Sequence, residues 1–213
     1  MAEPRDDTNV LLNRALAGDE TALGALFNGY RERLRRMIRL RMDRRLSGRV
    51  DSSDVLQEAY LDVRKRLSEY RRDPVAMPFH LWLRLIAGQK LTDVHRYHLG
   101  THMRDAGQEV SLHRGPFPQA SSISLAAQLL GRMTSASKAA IRAEHKLIVQ
   151  EALNGMDPID REVLTLRHFE HLSNEETALV LGLNKSAASN RYIRALRRLK
   201  EILSSIPGLK EQL

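Results

Sequence analysis

The sequence predicts an all-α protein: two small helical domains joined by a flexible linker, the C-terminal one a helix-turn-helix. Apolar residues recur at helical spacing through most of the 213 residues, as they do when one face of a helix is buried. The 12 glycines and 7 prolines fall largely between these periodic segments. Alternating runs of β-branched residues, which are typical of strands, are missing from the sequence.

The first domain is expected to span residues 1–99. Its first helix begins after Asp19, a good N-cap residue, the second near Ser52 or Ser53, and the third at Phe79. Each segment carries apolar residues three or four positions apart, which places them on one helix face. The interval covers about a hundred residues, a common size for a domain.

Residues 100–138 are polar, contain Gly, Pro and Ser, and lack a hydrophobic period. They are expected to form a linker, because an irregular loop of this length is unusual inside a compact domain. The stretch LAAQLLGRM within it fits either a short helix or a docking segment. Helical patterning resumes from 139 to 213, which predicts a second domain.

The composition favours a polyanionic partner and excludes some kinds of site. The chain has 34 Lys and Arg against 26 Asp and Glu, a net charge of +8, and such a balance favours nucleic acid. It contains no cysteine, which excludes disulfides and thiolate metal sites. No apolar run approaches the ~18 residues of a membrane helix, and the first residues lack the features of a secretory signal. We therefore expect a soluble, cytoplasmic protein without membrane insertion.

The segment 172–203 has the pattern of a helix-turn-helix. Ser173 and Glu176 have the spacing of a capping box, and Gly182 suits a tight turn. The helix that follows carries six Lys or Arg and no acidic residue between Lys185 and Lys200. Its N-terminal half is the part that enters the major groove in such motifs. The candidate DNA-binding residues there are Lys185, Ser186, Ser189, Asn190, Arg191 and Arg194.

Three blocks in order resemble the sigma factors of bacterial RNA polymerase, of the small extracytoplasmic-function (ECF) type. The first, DSSDVLQEAYLDVRKRL, is similar to region 2.2. The second, FHLWLRLIAGQKLTDVHRY, is similar to the helix of regions 2.3 and 2.4. The third runs from Asp160 to Leu203 and resembles region 4.

The resemblance implies a promoter-specificity subunit with core RNA polymerase and promoter DNA as partners. Region 2 would dock on the β′ clamp helices through Asp54, Gln57 and Glu58. It would also hold the −10 element as a single strand, with Tyr70 near the flipped base and Gln89 as a polar reader. The basic residues Arg71, Arg72, Lys90 and Arg96 in the same domain are suited to contact its phosphates. Region 4 would read the −35 element with its second helix and pack on the β flap, and an anti-sigma factor is a candidate further partner. Residues 184–192 lack the family's usual pattern at that helix, so the −35 sequence stays open.

Other kinds of site are not expected. His95, His98 and His102 have near-helical spacing, but Gly100 interrupts the helix and no Cys or carboxylate completes a metal set. No glycine-rich phosphate loop or nucleophile motif accompanies the acidic pairs. We therefore expect no metal, no cofactor and no enzymatic activity of the chain itself.

Two other functions remain as alternatives. One is a stand-alone helix-turn-helix transcriptional regulator, which would bind promoter duplex tightly without polymerase. The other is a metal-dependent nuclease, which would cleave DNA by itself. The arginine-rich run from Arg31 to Arg49 is expected to be a solvated helix face, with contacts to DNA or polymerase as the other possibility.

Overall fold

The computed structural model describes residues 5–46, 48–72, 77–99, 118–133 and 139–204. Within these ranges the regular structure is helical and contains no strand, which confirms the predicted all-α class. The α-helices are α1 (Arg5–Leu16), α2 (Glu20–Arg41), α3 (Ser52–Arg72), α4 (Phe79–Leu99), α5 (Ser122–Met133), α6 (Ala139–Asn154), α7 (Pro158–Leu164), α8 (Asn174–Leu181) and α9 (Lys185–Ser204). They divide between two compact units, α1–α4 in the first and α5–α9 in the second. No helix in the described part of the chain is both long and apolar enough to cross a membrane.

Helix α2 is the central element of the first unit and packs against α1, α3 and α4. The carboxylate of Asp19 caps its start by accepting from Ala22 N at 3.0 Å, which satisfies a backbone N–H that the helix leaves unpaired. Arg14 of α1 contacts the same carboxylate at 2.7 Å. The fully buried core residues of this unit include Met37, Ile38, Leu56, Val63, Ile86 and Leu91. Asp19 therefore sets both the beginning of α2 and its junction with α1.

The arginine run does not lie on one solvated face. Arg31, Arg39, Arg44, Arg45 and Arg49 are exposed and Arg33, Arg35 and Arg36 are half-buried. Arg41, by contrast, is only 2% exposed and lies among the buried residues of α2. The expectation of a solvated face is thus met for the exposed members and wrong for Arg41.

Helix α5 lies within the stretch that the sequence assigns to a linker. Leu125, Ala126, Leu129 and Leu130 are buried along one face of it, and α5 packs against α6. A hydrogen bond also joins α5 to α7, since Arg161 Nη1 donates to Ser122 Oγ at 3.2 Å. Of the two alternatives for LAAQLLGRM, the short helix is therefore the one observed. The second unit extends N-terminally to residue 119 rather than beginning at 139.

The chain between α7 and α8 departs from regular helix. Residues Thr165–Phe169 form a single π-helical turn, a geometry that occurs mostly as isolated bulges. His171 then adopts the left-handed conformation at φ 58°, which a residue with a Cβ rarely takes. This irregular passage ends at Ser173, where α8 is capped.

Candidate nucleic-acid interface

The helix-turn-helix is built from local signals that the sequence contains. Ser173 Oγ accepts from Glu176 N at 3.1 Å, and the Glu176 carboxylate accepts from Ser173 N at 2.6 Å. This reciprocal capping box begins α8 as predicted. At the other end Gly182 is left-handed, with φ 61° and ψ 37°, the conformation that most often ends a helix and that glycine adopts without a Cβ penalty.

Two side-chain contacts join the start of α8 to the start of α9. Asn174 Nδ2 donates to the carbonyl oxygen of Lys185 at 2.8 Å. Lys185 Nζ lies 2.5 Å from Glu175 Oε1, and both side chains are about two-thirds exposed. The candidate DNA-binding residue Lys185 therefore faces solvent but already has an acidic partner.

The buried face of α9 does not include every apolar residue of the helix. Ala188, Ala195, Leu199, Ile202 and Leu203 are buried. Ile193 and Leu196, although apolar, are 46% and 36% exposed. The reason is the helical period: the buried residues Ala188, Ala195 and Ile202 repeat every seven positions and define another stripe.

The candidate −35 residues of α9 fall into two groups. Lys185, Ser186, Asn190 and Arg194 are exposed, whereas Ser189 and Arg191 are half-buried. Because residues three or four apart share a helix face, Ser186, Asn190 and Arg194 form one exposed row along the N-terminal half of α9. This row has the hydroxyl, amide and guanidinium groups that bind base edges and phosphates.

Arg191 and Arg194 both contact Asp160 of α7. Arg191 Nη1 lies 2.7 Å from Asp160 Oδ1 and 3.3 Å from Asp157 Oδ1. Arg194 binds Asp160 through two atoms, Nη2 at 2.7 Å from Oδ1 and Nε against Oδ2. Burial opposes ionisation of Asp160, but the hydrogen bonds from Arg194 and Arg191 outweigh it and lower the pKa of this carboxyl below its usual value. The two arginines therefore hold a buried carboxylate in its charged form.

Tyr70 does not lie where a base could stack on it. Its side chain is in the core of the first unit, only 6% exposed, and its hydroxyl donates to Met77 O at 3.2 Å. The expectation of an accessible aromatic at this position is therefore not met. Trp82 is buried as well.

The other −10 candidates lie on α3 and α4, which pack against each other. Gln89 accepts from Arg66 Nη1 at 2.7 Å, and Lys90 Nζ lies 2.8 Å from Asp62, so both are half-buried between the helices. The hydrogen bond from Lys90 to Asp62 raises the pKa of Lys90. Arg71 and Arg96 are exposed, while the side chain of Arg72 lies outside the described part. Arg71 and Arg96 are thus the two described arginines of this set that are open to a ligand.

The docking candidates share one exposed face of α3. Asp54, Gln57 and Glu58 are all exposed, and Leu61, 45% exposed, continues the same face one turn later. Asp54 has a second role, since its Oδ2 accepts from Asp51 N at 3.0 Å at the helix start. The face combines acidic, amide and apolar groups, which suits a protein partner.

Three residues of interest were not in the predicted set. One is Asp160, which no local pattern links to arginines more than thirty positions later. Leu61 and Tyr97 are the other two, and Tyr97 is 84% exposed near the end of α4. The sequence gives no signal that Tyr97 is exposed, because its position eleven residues after the buried Ile86, about three helical turns, lies on the apolar side of the helical period.

The histidines do not converge. His95 is buried, and its Nε2 accepts from Asp43 N at 3.2 Å, whereas His98 is exposed; His102 lies outside the described residues. Within the described ranges, no group of three or more His, Cys, Asp or Glu side chains is arranged to hold a metal ion.

Comparison with known proteins finds similarity to RNA polymerase sigma factors. The family model for sigma-70, region 4, matches residues 146–199, which include α7, α8 and most of α9. The chain is 26% identical to the ECF RNA polymerase sigma factor BldN of Streptomyces coelicolor, over 91% of this chain and 64% of that protein. It is 28% identical to the ECF sigma factor SigD of Mycobacterium tuberculosis, over 91% and 82% of the two chains. The RNA polymerase sigma factor NccH of Alcaligenes xylosoxydans is 26% identical over 96% and 98%.

The fold comparison extends over both units. The structure of CnrH, solved in complex with the cytosolic domain of CnrY, superimposes with a TM-score of 0.56 and 23% identity, covering 93% of this chain and 98% of CnrH. This likeness supports the shared all-α fold. By sequence, residues 146–199 match sigma-70 region 4, and most of the chain is similar to RNA polymerase sigma factors of the extracytoplasmic-function type.

Proposed function

We propose that this chain is a sigma factor, the promoter-specificity subunit of bacterial RNA polymerase, and that it binds the core enzyme and the −10 and −35 promoter elements. The observation that carries this proposal is the exposed row of Ser186, Asn190 and Arg194 on a capped helix-turn-helix. Polymerase supplies the chemistry of transcription, and the sigma factor supplies sequence recognition and helps to open the promoter. It acts in the cytoplasm, where its polymerase is.

The −35 element is bound by the N-terminal half of α9. Asn190 and Arg194 have exposed donor groups of the kind that read base edges in the major groove, and Lys185 and Ser186 suit phosphate oxygens. The ion pair between Lys185 and Glu175 is exposed on both sides, so it contributes little and exchanges readily for a phosphate. Ser189 and Arg191 contribute from the edge of the same surface.

The −10 element is bound at the ends of α3 and α4. The exposed Arg71 and Arg96, with Arg72, supply positive charge for the phosphates of the opened strand. Gln89 and Lys90 lie between the helices and orient this surface. Tyr97, which is 84% exposed, is the aromatic on which an unpaired base stacks, in place of the buried Tyr70.

The core enzyme is bound through the face of α3 that carries Asp54, Gln57, Glu58 and Leu61. We place the β′ clamp helices on this face and the β flap on the second unit. CnrH, which shares the fold, was solved with the cytosolic domain of CnrY. By analogy we propose that this chain also has a regulatory protein partner, an anti-sigma factor.

Run-off transcription with purified core polymerase tests the proposed function. Core enzyme alone, the chain alone and the two together are incubated with fragmented genomic DNA, and the 5′ ends of the transcripts are mapped. We expect new start sites only when both are present, with shared sequences near −10 and −35. Identical transcripts with and without the chain would contradict the proposal, and tight duplex binding without core would favour a stand-alone regulator.

A further inference from the structure

We propose that Asp160 is a positioning residue for −35 recognition, acting through Arg194; this inference rests on the function proposed above. Asp160 lies on α7, outside the helix-turn-helix, and its side chain is 6% exposed. It contacts both candidate base-reading arginines of α9. Helix α7 would therefore contribute to promoter recognition without touching DNA.

The two arginines differ in how far they reach the surface. The side chain of Arg191 is 26% exposed and its Nη1 lies between Asp160 and Asp157, at 2.7 and 3.3 Å. That of Arg194 is 61% exposed although it binds Asp160 through two nitrogens. Arg191 is thus held inside the second unit by Asp160 and Asp157, whereas Arg194 is exposed enough to contact a ligand.

The two-point contact fixes the plane of the Arg194 guanidinium. Nε and Nη2 donate to the two oxygens of Asp160, a fork geometry in which rotation about the last side-chain bonds is restricted. No hydrogen bond among the described residues uses Nη1 of Arg194. Because a guanidinium has more N–H groups than these contacts occupy, its remaining edge is available to a base or phosphate.

An arginine whose guanidinium is fixed in place improves discrimination between DNA sequences more than it improves affinity. A free arginine loses side-chain entropy when it binds, whereas Arg194 is ordered before DNA arrives. A fixed donor also fits one arrangement of acceptors on base edges and penalises the others, because acceptors displaced from its plane are poorly aligned. Loss of Asp160 should therefore weaken the preference for the correct −35 sequence.

Loss of Asp160 would have a different effect if its carboxylate acted only as a negative charge near the DNA. An acidic side chain near a DNA-binding face can act as a competing anion that lowers affinity for every sequence. Its removal would then raise binding to all DNA and steepen the salt dependence. Burial of Asp160 behind the two arginines favours the positioning role.

The test uses holoenzyme formed from the full chain and core polymerase. Its probes are a promoter fragment recovered by start-site mapping and the same fragment with a shuffled −35 segment. For Asp160→Asn, which keeps the shape and removes the charge, we expect the preference for the native fragment to fall about tenfold. Binding to the shuffled fragment should change little. Glu201→Gln is the matched control, since it removes an exposed carboxylate beside Arg198 on the same helix, and it should keep the full preference.

A double-mutant cycle separates positioning from a general structural effect. If Asp160 acts through Arg194, Asp160→Asn adds no further loss of preference to Arg194→Gln. Additive losses, an unchanged preference in Asp160→Asn, or a parallel rise in affinity for both fragments would overturn the inference. If wild-type holoenzyme itself fails to distinguish the two fragments, the proposed function is wrong; if only the Asp160 effect is missing, the inference alone fails.

Discussion

The ring of Tyr70 packs 5.0 Å from that of Trp82, measured between centroids, and 5.2 Å from that of Phe79. These three aromatic side chains join the end of α3 to the beginning of α4 inside the core of the first unit. Burial raises the pKa of the Tyr70 hydroxyl, as expected for a group removed from water. Tyr70 is therefore a structural aromatic, and its neighbours Arg71 and Arg72 remain the candidates for single-strand contact.

Substitution of Tyr70 should lower stability without a specific effect on DNA. Tyr70→Phe removes only the hydrogen bond to Met77 O and should cost about 0.5–1.5 kcal/mol. Tyr70→Leu removes the ring packing as well and should cost about 2 kcal/mol or more. The measurement is chemical unfolding followed by fluorescence of Trp82, the single tryptophan of the chain, which lies in the first unit. Tyr70 would not be purely structural if a fully folded Tyr70→Leu protein bound a −10 single strand more weakly than Arg71→Ala does.

Reversal of charge on the exposed face of α3 should weaken core binding. Glu58 is exposed and makes no capping contact, unlike Asp54, so Glu58→Lys changes charge without removing a helix cap. A like charge placed opposite a basic partner surface should cost on the order of 2 kcal/mol, or roughly 30-fold in affinity for core polymerase. Glu32→Lys on α2 has the same charge change at a side chain 74% exposed and serves as the control. Equal affinity of both variants for core would remove α3 from the docking surface.

Acidification should destabilise the first unit through His95. Burial lowers the pKa of His95 from its usual 6.5, outweighing the attraction of Asp43, and its neutral Nε2 accepts from Asp43 N. Because the unfolded chain protonates first, the contribution of His95 is fully present above about pH 6.5 and is lost as the pH falls towards the lower folded pKa. The Asp43 carboxyl does not titrate in this window, since the hydrogen bond from Arg45 lowers its pKa to about 2.

The measurement for His95 is the free energy of unfolding at pH 7.5 and pH 5.5, again by Trp82 fluorescence. His95→Gln removes the titrating group and should flatten this part of the profile relative to wild type. An equal loss of stability in both proteins would assign the acid sensitivity to other residues.

The two left-handed residues beside α8 should respond oppositely to substitution. His171, at φ 58°, carries a Cβ that is disfavoured there by about 1 kcal/mol. His171→Gly should therefore stabilise the second unit, by no more than about 1 kcal/mol because glycine also gains freedom when unfolded. Gly182→Ala introduces the same penalty at φ 61° and should destabilise by about 1 kcal/mol.

The melting temperatures of His171→Gly and Gly182→Ala are measured by circular dichroism. The fluorescence of Trp82 is the internal control. The fluorescence transition should stay unchanged, because it reports on the first unit. A lower melting temperature for His171→Gly would mean that the contacts of the imidazole outweigh the strain in the backbone.

Sequence alone determined the features that depend on residues within one or two helical turns. The capping box of Ser173 and Glu176, the left-handed Gly182 and the helix start after Asp19 each involve neighbours along the chain, so their pattern is visible without a structure. The all-α class follows from local hydrophobic periodicity, and the resemblance to sigma factors rests on three blocks of contiguous residues.

Only the tertiary structure decided which side chains are available to a partner. Tyr70 and Arg41 are buried, α5 belongs to the second unit, and Ile193 is exposed on α9, because each depends on how distant helices pack. The contact between Asp160 and Arg194 joins residues 34 positions apart. Hydrophobic spacing specifies that a helix has a buried face. Packing between distant segments decides which helix covers that face. It also decides which charged group pairs with a buried carboxylate.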